Sequence, residues 1–183
     1  DPSFPKNAII DCLNRFNLKL SSIDHIVFYE KPFIKFDRLI ETYLAFAPKG
    51  FKSFLRFLTI WAKEKLFQKD LIINNLNEIE FDAEKKLSSK IFFSSHHMSH
   101  ASSAFFPSPF FKAAILTMDA VGEWATSSVA IGEDNKIQMI KEIRFPHSLG
   151  LLYSSFTYFL GFKVNSGEYK VMGLAPYGTP KYV

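Results

Sequence analysis

The spacing of apolar residues divides the first half of the chain into helices and one short strand. Apolar positions recur at helical spacing over residues 5–17, which predicts a helix that starts at its proline. The continuous apolar run over residues 23–29 predicts a short buried strand. A later helical pattern is broken by the Pro-Lys-Gly sequence at residues 48–50, so we predict two helices there, over residues 36–47 and 51–67.

The middle of the chain continues this alternation. A more polar helix is predicted over residues 71–87 and a short strand over residues 90–93. Two serines then precede a helix predicted over residues 96–106, which the prolines at 107 and 109 stop.

The pattern then changes from helical to extended. Three consecutive strands and a helix are predicted over residues 113–118, 124–132, 137–145 and 149–160. Ser148 is placed to cap that last helix. The alternation of helices and strands predicts an α/β protein. The change of pattern places a boundary between a segment of residues 1–112 and a segment of residues 113–183.

Composition and charge exclude several classes of protein. Of the 183 residues, 48% are apolar and 22% are charged, which excludes an intrinsically disordered chain. The net charge of +4 comes without a long Lys/Arg run, so we expect no nucleic-acid partner. No apolar stretch has the roughly 18 residues that span a bilayer, and the N-terminus has no signal-peptide pattern. Cys12 is the only cysteine and cannot form an intrachain disulfide, so we expect a cytoplasmic protein.

The helix predicted over residues 51–67 is basic and amphipathic. Its apolar stripe consists of Phe51, Phe54, Leu55, Leu58, Trp61 and Ala62. A basic amphipathic helix with aromatic residues can lie on a membrane surface. More often, such a stripe packs on the helix's own domain, and we expect that packing and no membrane partner here.

Three of the five histidines lie close together at the start of the helix predicted over residues 96–106. His96 and His100 are four positions apart, so they share one helical face and can bind a single cation. The Glu of the zinc-protease signature is absent between them. His97 points about 100° away and would pack or meet substrate. The spacing alone leaves two interpretations open, a metal site and ordinary surface histidines.

Asp119 ends an apolar strand, and the turn that follows contains Gly122. An Asp in this position can reach a metal directly or through water, and a turn glycine lets backbone amides approach a phosphate. Asp119 would complete a His-His-Asp set with open positions for substrate. The alternative is an ordinary hairpin in which Asp119 caps the turn and Gly122 supplies a positive φ.

Residues 165–178 combine glycines with hydrogen-bonding groups and are predicted to form a loop. Lys170 could neutralise a phosphate or a developing charge, assisted by backbone amides near Gly167. The glycine spacing matches neither a P-loop nor a dinucleotide fingerprint. The alternative is a solvent loop in which Glu168 pairs with Lys170 or another surface charge.

Several of these runs, in this order, resemble the carbamoyltransferase family that includes the nodulation-factor and antibiotic O-carbamoyltransferases. The resemblance rests on HHMSHASSAFFPSPF (96–110), DAVGEWAT (119–126), FPHSLGLLY (145–153) and NSGEYKVMGLAPYG (165–178). It extends upstream through FYEKP (28–32) and ETYLAFAP (41–48), and so covers nearly the whole chain.

The resemblance implies an actin-like ATPase fold with two lobes of ribonuclease-H type that face each other across a ligand cleft. It also implies a reaction in which carbamoyl phosphate and ATP form a carbamoyl-adenylate in a separate C-terminal domain. The carbamoyl group then passes to a hydroxyl of a small acceptor in the two-lobed domain.

The same resemblance implies a metal site. His96 and His100 would hold a divalent metal, iron in preference to zinc or manganese, with Asp119 as a further ligand. Such a metal would neutralise and orient the adenylate phosphate or polarise the carbamoyl carbonyl.

Nucleotide and substrate contacts are implied as well. Gly122 and Glu123 would line the nucleotide side of the cleft. Gly167 and Lys170 would contact substrate, with Lys170 as the catalytic residue. Ala120 stands where many relatives have glycine, a small departure that removes no ligand.

The larger departure concerns the ends of the chain. Family members begin with a strand pair whose turn contains His and Asp, and they continue into the rest of the second lobe and the adenylate-forming domain. We therefore expect this chain to be a fragment, with an incomplete first lobe and the beginning of the second, and inactive on its own. Some of its 21 Phe side chains should then be exposed, and the chain is expected to self-associate.

Two other functions are compatible with the sequence. A sugar-kinase-like phosphotransferase would use the turn at residues 119–126 for ATP, because that turn binds phosphate in actin-like folds. A non-enzymatic module would bind a membrane or a partner through the helix predicted over residues 51–67.

Overall fold

The computed structural model describes residues 3–64, 67–80 and 87–181. The chain forms two compact units, Asp1–Ser95 and His96–Val183, and each combines helices with a small sheet. The division falls before the boundary predicted between residues 112 and 113, because the helix that starts at His96 packs on the sheet of the second unit. Within the described ranges, no helix has both the length and the apolar character needed to cross a bilayer.

The first unit contains, within the described residues, four helices and two short strands. They are α1 (Lys6–Arg15), β1 (Ile26–Phe28), α2 (Pro32–Phe46), α3 (Phe51–Glu64), α4 (Gln68–Asn77) and β2 (Ile91–Phe93). The two strands pair in parallel, with Ile26 opposite Ile91. Since β1 and β2 are far apart in the chain, the helices between them form the crossover that a parallel pair requires.

These elements follow the predicted pattern with shifted ends. α2 begins at Pro32, ahead of the predicted start at residue 36, because proline is well suited to the first turn of a helix. Residues 65–66 and 81–86 belong to the helices predicted over 51–67 and 71–87, and they lie outside the described residues.

The core of the first unit lies between α4 and the strand pair. Its buried residues are Leu20, Ile72, Ile73, Leu76, Leu87 and Ile91. The apolar stripe of α3 packs on α2, where Trp61 stacks on Phe36 at 3.8 Å between ring centroids and Phe54 stacks on Tyr43 at 4.0 Å. Packing on its own unit, as predicted, therefore accounts for part of that stripe, while Phe51 stays exposed.

The second unit is a helix packed on a three-stranded antiparallel meander and followed by two more helices. In chain order its elements are α5 (His96–Phe105), β3 (Lys112–Met118), β4 (Ala125–Glu133), β5 (Lys136–Arg144), α6 (Leu149–Phe159) and α7 (Glu168–Leu174). The strands lie in the order β3-β4-β5, as the three consecutive predicted strands imply.

One face of the meander forms the core of the second unit. Ala101 and Phe105 of α5 pack against Ile115 of β3 and Ala130 of β4. The opposite face carries exposed apolar side chains, namely Leu116, Met118, Val129, Ile131, Ile140 and Ile143. Elsewhere in this unit, exposed Phe side chains are present as expected, namely Phe106, Phe110, Phe111, Phe156 and Phe159.

The prediction of a loop over residues 165–178 is wrong where α7 forms. The Glu168 carboxylate accepts hydrogen bonds from the amides of Asn165 at 2.8 Å and Gly167 at 3.2 Å, which organises the start of the helix. The Tyr153 hydroxyl of α6 also donates to the Glu168 carbonyl at 2.7 Å. Because these contacts join α6 to a glycine-containing turn, local propensity did not indicate the helix.

Candidate metal centre

His96 and His100 present their imidazoles on one face of the first turns of α5. Their Nε2 atoms lie 3.1 Å apart, and their ring centroids lie 4.7 Å apart. The four-residue spacing produces this approach, because positions i and i+4 stand above one another on a helix. The predicted pairing of the two histidines is therefore present in the structure.

Asp119 directly follows β3 and directs its carboxylate at the two histidines. Its Oδ2 lies 2.8 Å from His96 Nε2 and 3.8 Å from His100 Nε2. Its Oδ1 accepts a hydrogen bond from the Ala120 amide at 2.6 Å. One carboxylate oxygen thus fixes the side chain to its own turn, and the other completes a three-residue cluster.

This cluster fits a divalent transition metal. Ligand atoms bound at about 2.0–2.2 Å from a metal lie roughly 3 Å from one another, close to the separations observed here. Two imidazoles and one carboxylate with open positions suit iron, and the same donor types also bind zinc and manganese. The exposed fraction of the side chain rises from 16% at His96 to 52% at His100, so the cluster opens to solvent on the His100 side.

The electrostatics keep the carboxylate ionised. Partial burial acts to raise the pKa of Asp119, but the Ala120 amide and His96 hydrogen bonds outweigh it and hold that pKa below its ordinary value. An ionised carboxylate is the form that binds a cation. Within the described ranges, one group of three His, Cys, Asp or Glu side chains lies close enough together to share an ion, and it consists of His96, His100 and Asp119.

His97 packs into the second unit and does not face the cluster's ligand atoms. It is 4% exposed, and its Nδ1 lies 2.8 Å from the Ser128 hydroxyl of β4. Burial, followed by the nearby His96, lowers the pKa of His97 and so favours the neutral ring. The contact with Ser128 fixes the rotation of α5 on the sheet, which turns His96 and His100 toward Asp119.

Gly122 lies against the imidazole of His96. A Cβ added at Gly122 would stand 2.7 Å from His96 Cδ2 and 3.0 Å from His96 Cγ. Its φ is not in the positive range, so the idea that it supplies a positive φ to the turn is wrong. Glycine is required here for space, because the ring of a cluster residue occupies the position of a side chain.

The remaining predicted site residues are Glu123, Gly167 and Lys170. Glu123 is 8% exposed, and Gly167 immediately precedes α7. Lys170 is exposed on α7, with its Nζ 5.9 Å from the ring centroid of Tyr169. Among the described residues, neither a hydrogen bond nor an ion pair joins Lys170 to Asp119.

Two residues at the start of α6 contact the turn that carries Asp119. Ser148 caps the helix as predicted, because its Oγ accepts a hydrogen bond from the Leu151 amide at 3.0 Å. The same hydroxyl donates to the Ala120 carbonyl at 2.6 Å. Gly150 packs on the Asp119–Ala120 main chain. A helix cap is visible in a sequence, but nothing in the sequence indicates this second contact.

The sequence is similar to a known protein family and to several known proteins. The family model described as "Carbamoyltransferase N-terminus" matches residues 1–183. An uncharacterized protein of Synechocystis sp. is 56% identical over 183 residues, which are 100% of this chain and 30% of that protein. The nodulation protein NolNO of Sinorhizobium fredii is 35% identical over 179 residues, covering 96% of this chain and 24% of that protein.

A more distant relative shares the same region. An uncharacterized protein of Methanocaldococcus jannaschii is 32% identical over 142 residues, covering 67% of this chain and 23% of that protein. The chain thus spans less than a third of the length of these relatives. Because the family model matches every residue, the chain belongs to the carbamoyltransferase N-terminus family.

Proposed function

We propose that this chain is part of an O-carbamoyltransferase and supplies the metal-binding part of its transfer site. The observation that carries the proposal is the convergence of His96, His100 and Asp119 in a chain of the carbamoyltransferase family. The acceptor in this proposal is a small hydroxylated molecule, as the resemblance to O-carbamoyltransferases implies.

The proposed reaction transfers a carbamoyl group from a carbamoyl-adenylate, formed from carbamoyl phosphate and ATP. The acceptor hydroxyl oxygen forms a bond to the carbamoyl carbon, and the bond from that carbon to the adenylate phosphate oxygen breaks. AMP leaves with the electron pair of that bond, and the hydroxyl proton passes to a base or to solvent.

A divalent metal, iron in preference to zinc or manganese, would neutralise the adenylate phosphate or polarise the carbamoyl carbonyl. His96, His100 and Asp119 would hold it, with Asp119 ionised by its contact with the Ala120 amide. The solvent-facing side of His100 leaves room for substrate. The phosphate end of the substrate would therefore approach the cluster from that side.

Four further residues have proposed roles in this site. Gly122 and Glu123 would line the nucleotide side of the cleft, next to His96. Gly167 and Lys170 would contact substrate, and Lys170 would act as the catalytic cation. The exposed position of Lys170 on α7 is compatible with a contact to a bound anion.

The proposal extends to fold and location. Residues 1–112 would belong to the first lobe of an actin-like ATPase fold, and residues 113–183 would form the start of the second lobe, with the β3-β4-β5 meander and α6. The lone cysteine suits a cytoplasmic enzyme. The exposed apolar face of the meander would be compatible with a homo-oligomer.

The decisive experiment uses the full-length enzyme. It is supplied with carbamoyl phosphate, ATP and a panel of hydroxylated acceptors, and AMP and the acceptor mass are measured. We expect AMP and a carbamoylated product from the wild type. His100→Ala should lose bound metal and transfer together, while His25→Ala, which removes an exposed histidine of the first unit, should retain both.

Two outcomes would refute the proposal. If His100→Ala keeps its metal and full turnover, the cluster is not the transfer site. If the acceptor gains a phosphoryl group and ADP accumulates, the enzyme is a phosphotransferase of the kind that the turn at residues 119–126 also suggested.

A further inference from the structure

The first turn of α6 holds the main chain beside Asp119 through one hydroxyl. Ser148 Oγ donates to the Ala120 carbonyl at 2.6 Å and lies 3.3 Å from the Asp119 carbonyl. The same oxygen accepts from the Leu151 amide at 3.0 Å. A serine hydroxyl has one donor hydrogen and two acceptor sites, so the helix cap and the contact with the turn use different parts of it.

Gly150 brings α6 into direct contact with the same peptide. A Cβ at this position would stand 2.6 Å from the Ala120 Cα, the Ala120 N and the Asp119 carbonyl oxygen. All three atoms belong to the backbone, so no side-chain rotation could relieve the contact. The absence of a side chain at Gly150 therefore allows the helix to rest on the peptide between Asp119 and Ala120.

That peptide controls the orientation of the Asp119 carboxylate. Its N–H belongs to Ala120 and donates to Asp119 Oδ1 at 2.6 Å, while Oδ2 points at His96 Nε2, 2.8 Å away. If the peptide rotated, its N–H would carry Oδ1 with it and turn Oδ2 away from His96. The position of the peptide is thus transmitted to the oxygen that faces the histidines.

The sheet holds the other side of this turn. The Asp119 amide donates to the Thr126 carbonyl at 2.8 Å, and the Gly122 amide donates to the Ala125 carbonyl at 3.0 Å. These bonds fix the ends of the connection between β3 and β4. The carbonyls of Asp119 and Ala120 point toward α6 and lie within hydrogen-bond distance of the Ser148 hydroxyl, which is the donor.

We propose that Ser148 and Gly150 are positioning residues that hold the metal ligand Asp119 in its binding orientation. The proposal rests on the metal site of the proposed function and adds the α6 contact as its outer support. Groups that orient metal ligands typically change metal affinity by about 10- to 100-fold when removed. Neither residue needs to touch the metal or the substrate.

The test measures Co²⁺ affinity of the metal-free full-length protein from the visible absorption of the bound ion. Ser148→Asp keeps an acceptor for the Leu151 amide but cannot donate to Ala120, and Ser148→Gly removes the donor while remaining acceptable at a helix start. We expect both to bind Co²⁺ about 10- to 100-fold more weakly with an altered spectrum. Because the carboxylate of Ser148→Asp would also repel the Asp119 and Ala120 carbonyl oxygens, Ser148→Gly, which adds no charge, is the variant that isolates the loss of the donor.

Rescue and control variants separate positioning from folding. Ser148→Thr retains both functions of the hydroxyl and should restore affinity and spectrum. Ser155→Ala removes an exposed hydroxyl of the same helix and should change neither. Gly150→Ala should weaken Co²⁺ binding, whereas Gly173→Ala, which has open space around it, should not. The thermal unfolding midpoint of each metal-free variant is recorded alongside.

The outcomes separate a failure of the metal site from a failure of the positioning role. Wild-type protein that binds no Co²⁺, or His100→Ala that binds it unchanged, refutes the metal site itself. If binding depends on His100 but Ser148→Gly matches the wild type in affinity and spectrum, the metal site stands and the positioning role is refuted. Weakened binding in Ser148→Gly that Ser148→Thr restores supports the positioning role.

Discussion

Gly122→Ala tests whether the close approach of a glycine to His96 is needed for metal binding. The new methyl group would lie 2.7 Å from His96 Cδ2, a separation that real Cβ atoms essentially never show. The pair would have to separate by about 0.7 Å to reach ordinary contact at 3.4 Å, whereas metal–ligand distances are kept within roughly 0.2 Å. The His96 ring therefore cannot both avoid the methyl group and keep its place.

We expect Gly122→Ala to weaken metal binding at least as much as loss of an outer support does. That is about 10- to 100-fold, which corresponds to roughly 1.4–2.8 kcal/mol of binding free energy. Overpacking should also lower the free energy of unfolding by about 1–3 kcal/mol. Co²⁺ titration measures the first effect, and thermal unfolding followed by circular dichroism measures the second.

Gly173→Ala is the matched control, because no atom lies within 4 Å of its added methyl group. Gly122→Ala that binds Co²⁺ with wild-type affinity would refute the steric reasoning. If it keeps the metal but loses affinity for ATP, the nucleotide contact inferred from the family resemblance would account for this glycine instead.

Two further predictions concern the framework around the centre. Thr126 is fully buried and its hydroxyl donates to the carbonyls of Ile143 and His147, so Thr126→Val should cost about 1–3 kcal/mol of unfolding free energy in urea titrations. An unchanged midpoint would contradict this. Hydrogen bonds to the Glu168 carboxylate, chiefly from the Asn165 amide, hold the pKa of Glu168 below its ordinary value of 4.5. The stability that the ionised Glu168 contributes is therefore fully present above that pH. It is lost as the pH falls through the lowered pKa, and the stability difference between wild type and Glu168→Gln should shrink on acidification; a difference independent of pH would count against it.

The helical pairing of the two histidines could be predicted because it depends on a local repeat. His96 and His100 share a face in any α-helix, and the serines before them and the prolines after them mark the helix ends. Asp119 could be placed at a strand end because the apolar run before it is also a local pattern. Its convergence on the histidines depends on how α5 packs against β3, so the residues alone offered it beside an ordinary hairpin, and the family resemblance favoured it.

The features that escaped prediction arise from contacts between separate elements. Gly122 was expected to contribute a positive φ or to line a nucleotide, and the ring of His96 beside it is visible only in the fold. The helix that begins at Glu168 depends on a hydroxyl of α6. The second unit begins at His96 because α5 buries Phe105 on the meander, which periodicity within α5 does not reveal.

The two sheets join strands that are separated by different lengths of chain, and this affects the order in which they can form. Pairing β1 with β2 brings Ile26 to Ile91 and must close a long loop, whereas only 23 positions separate His96 from Asp119, and the meander joins neighbours in the chain. Closing a longer loop costs more conformational entropy, and local contacts form sooner. The contact between His96 and Asp119 can therefore form while the strands of the first unit are still unpaired, so the candidate metal cluster need not wait for the whole chain to fold.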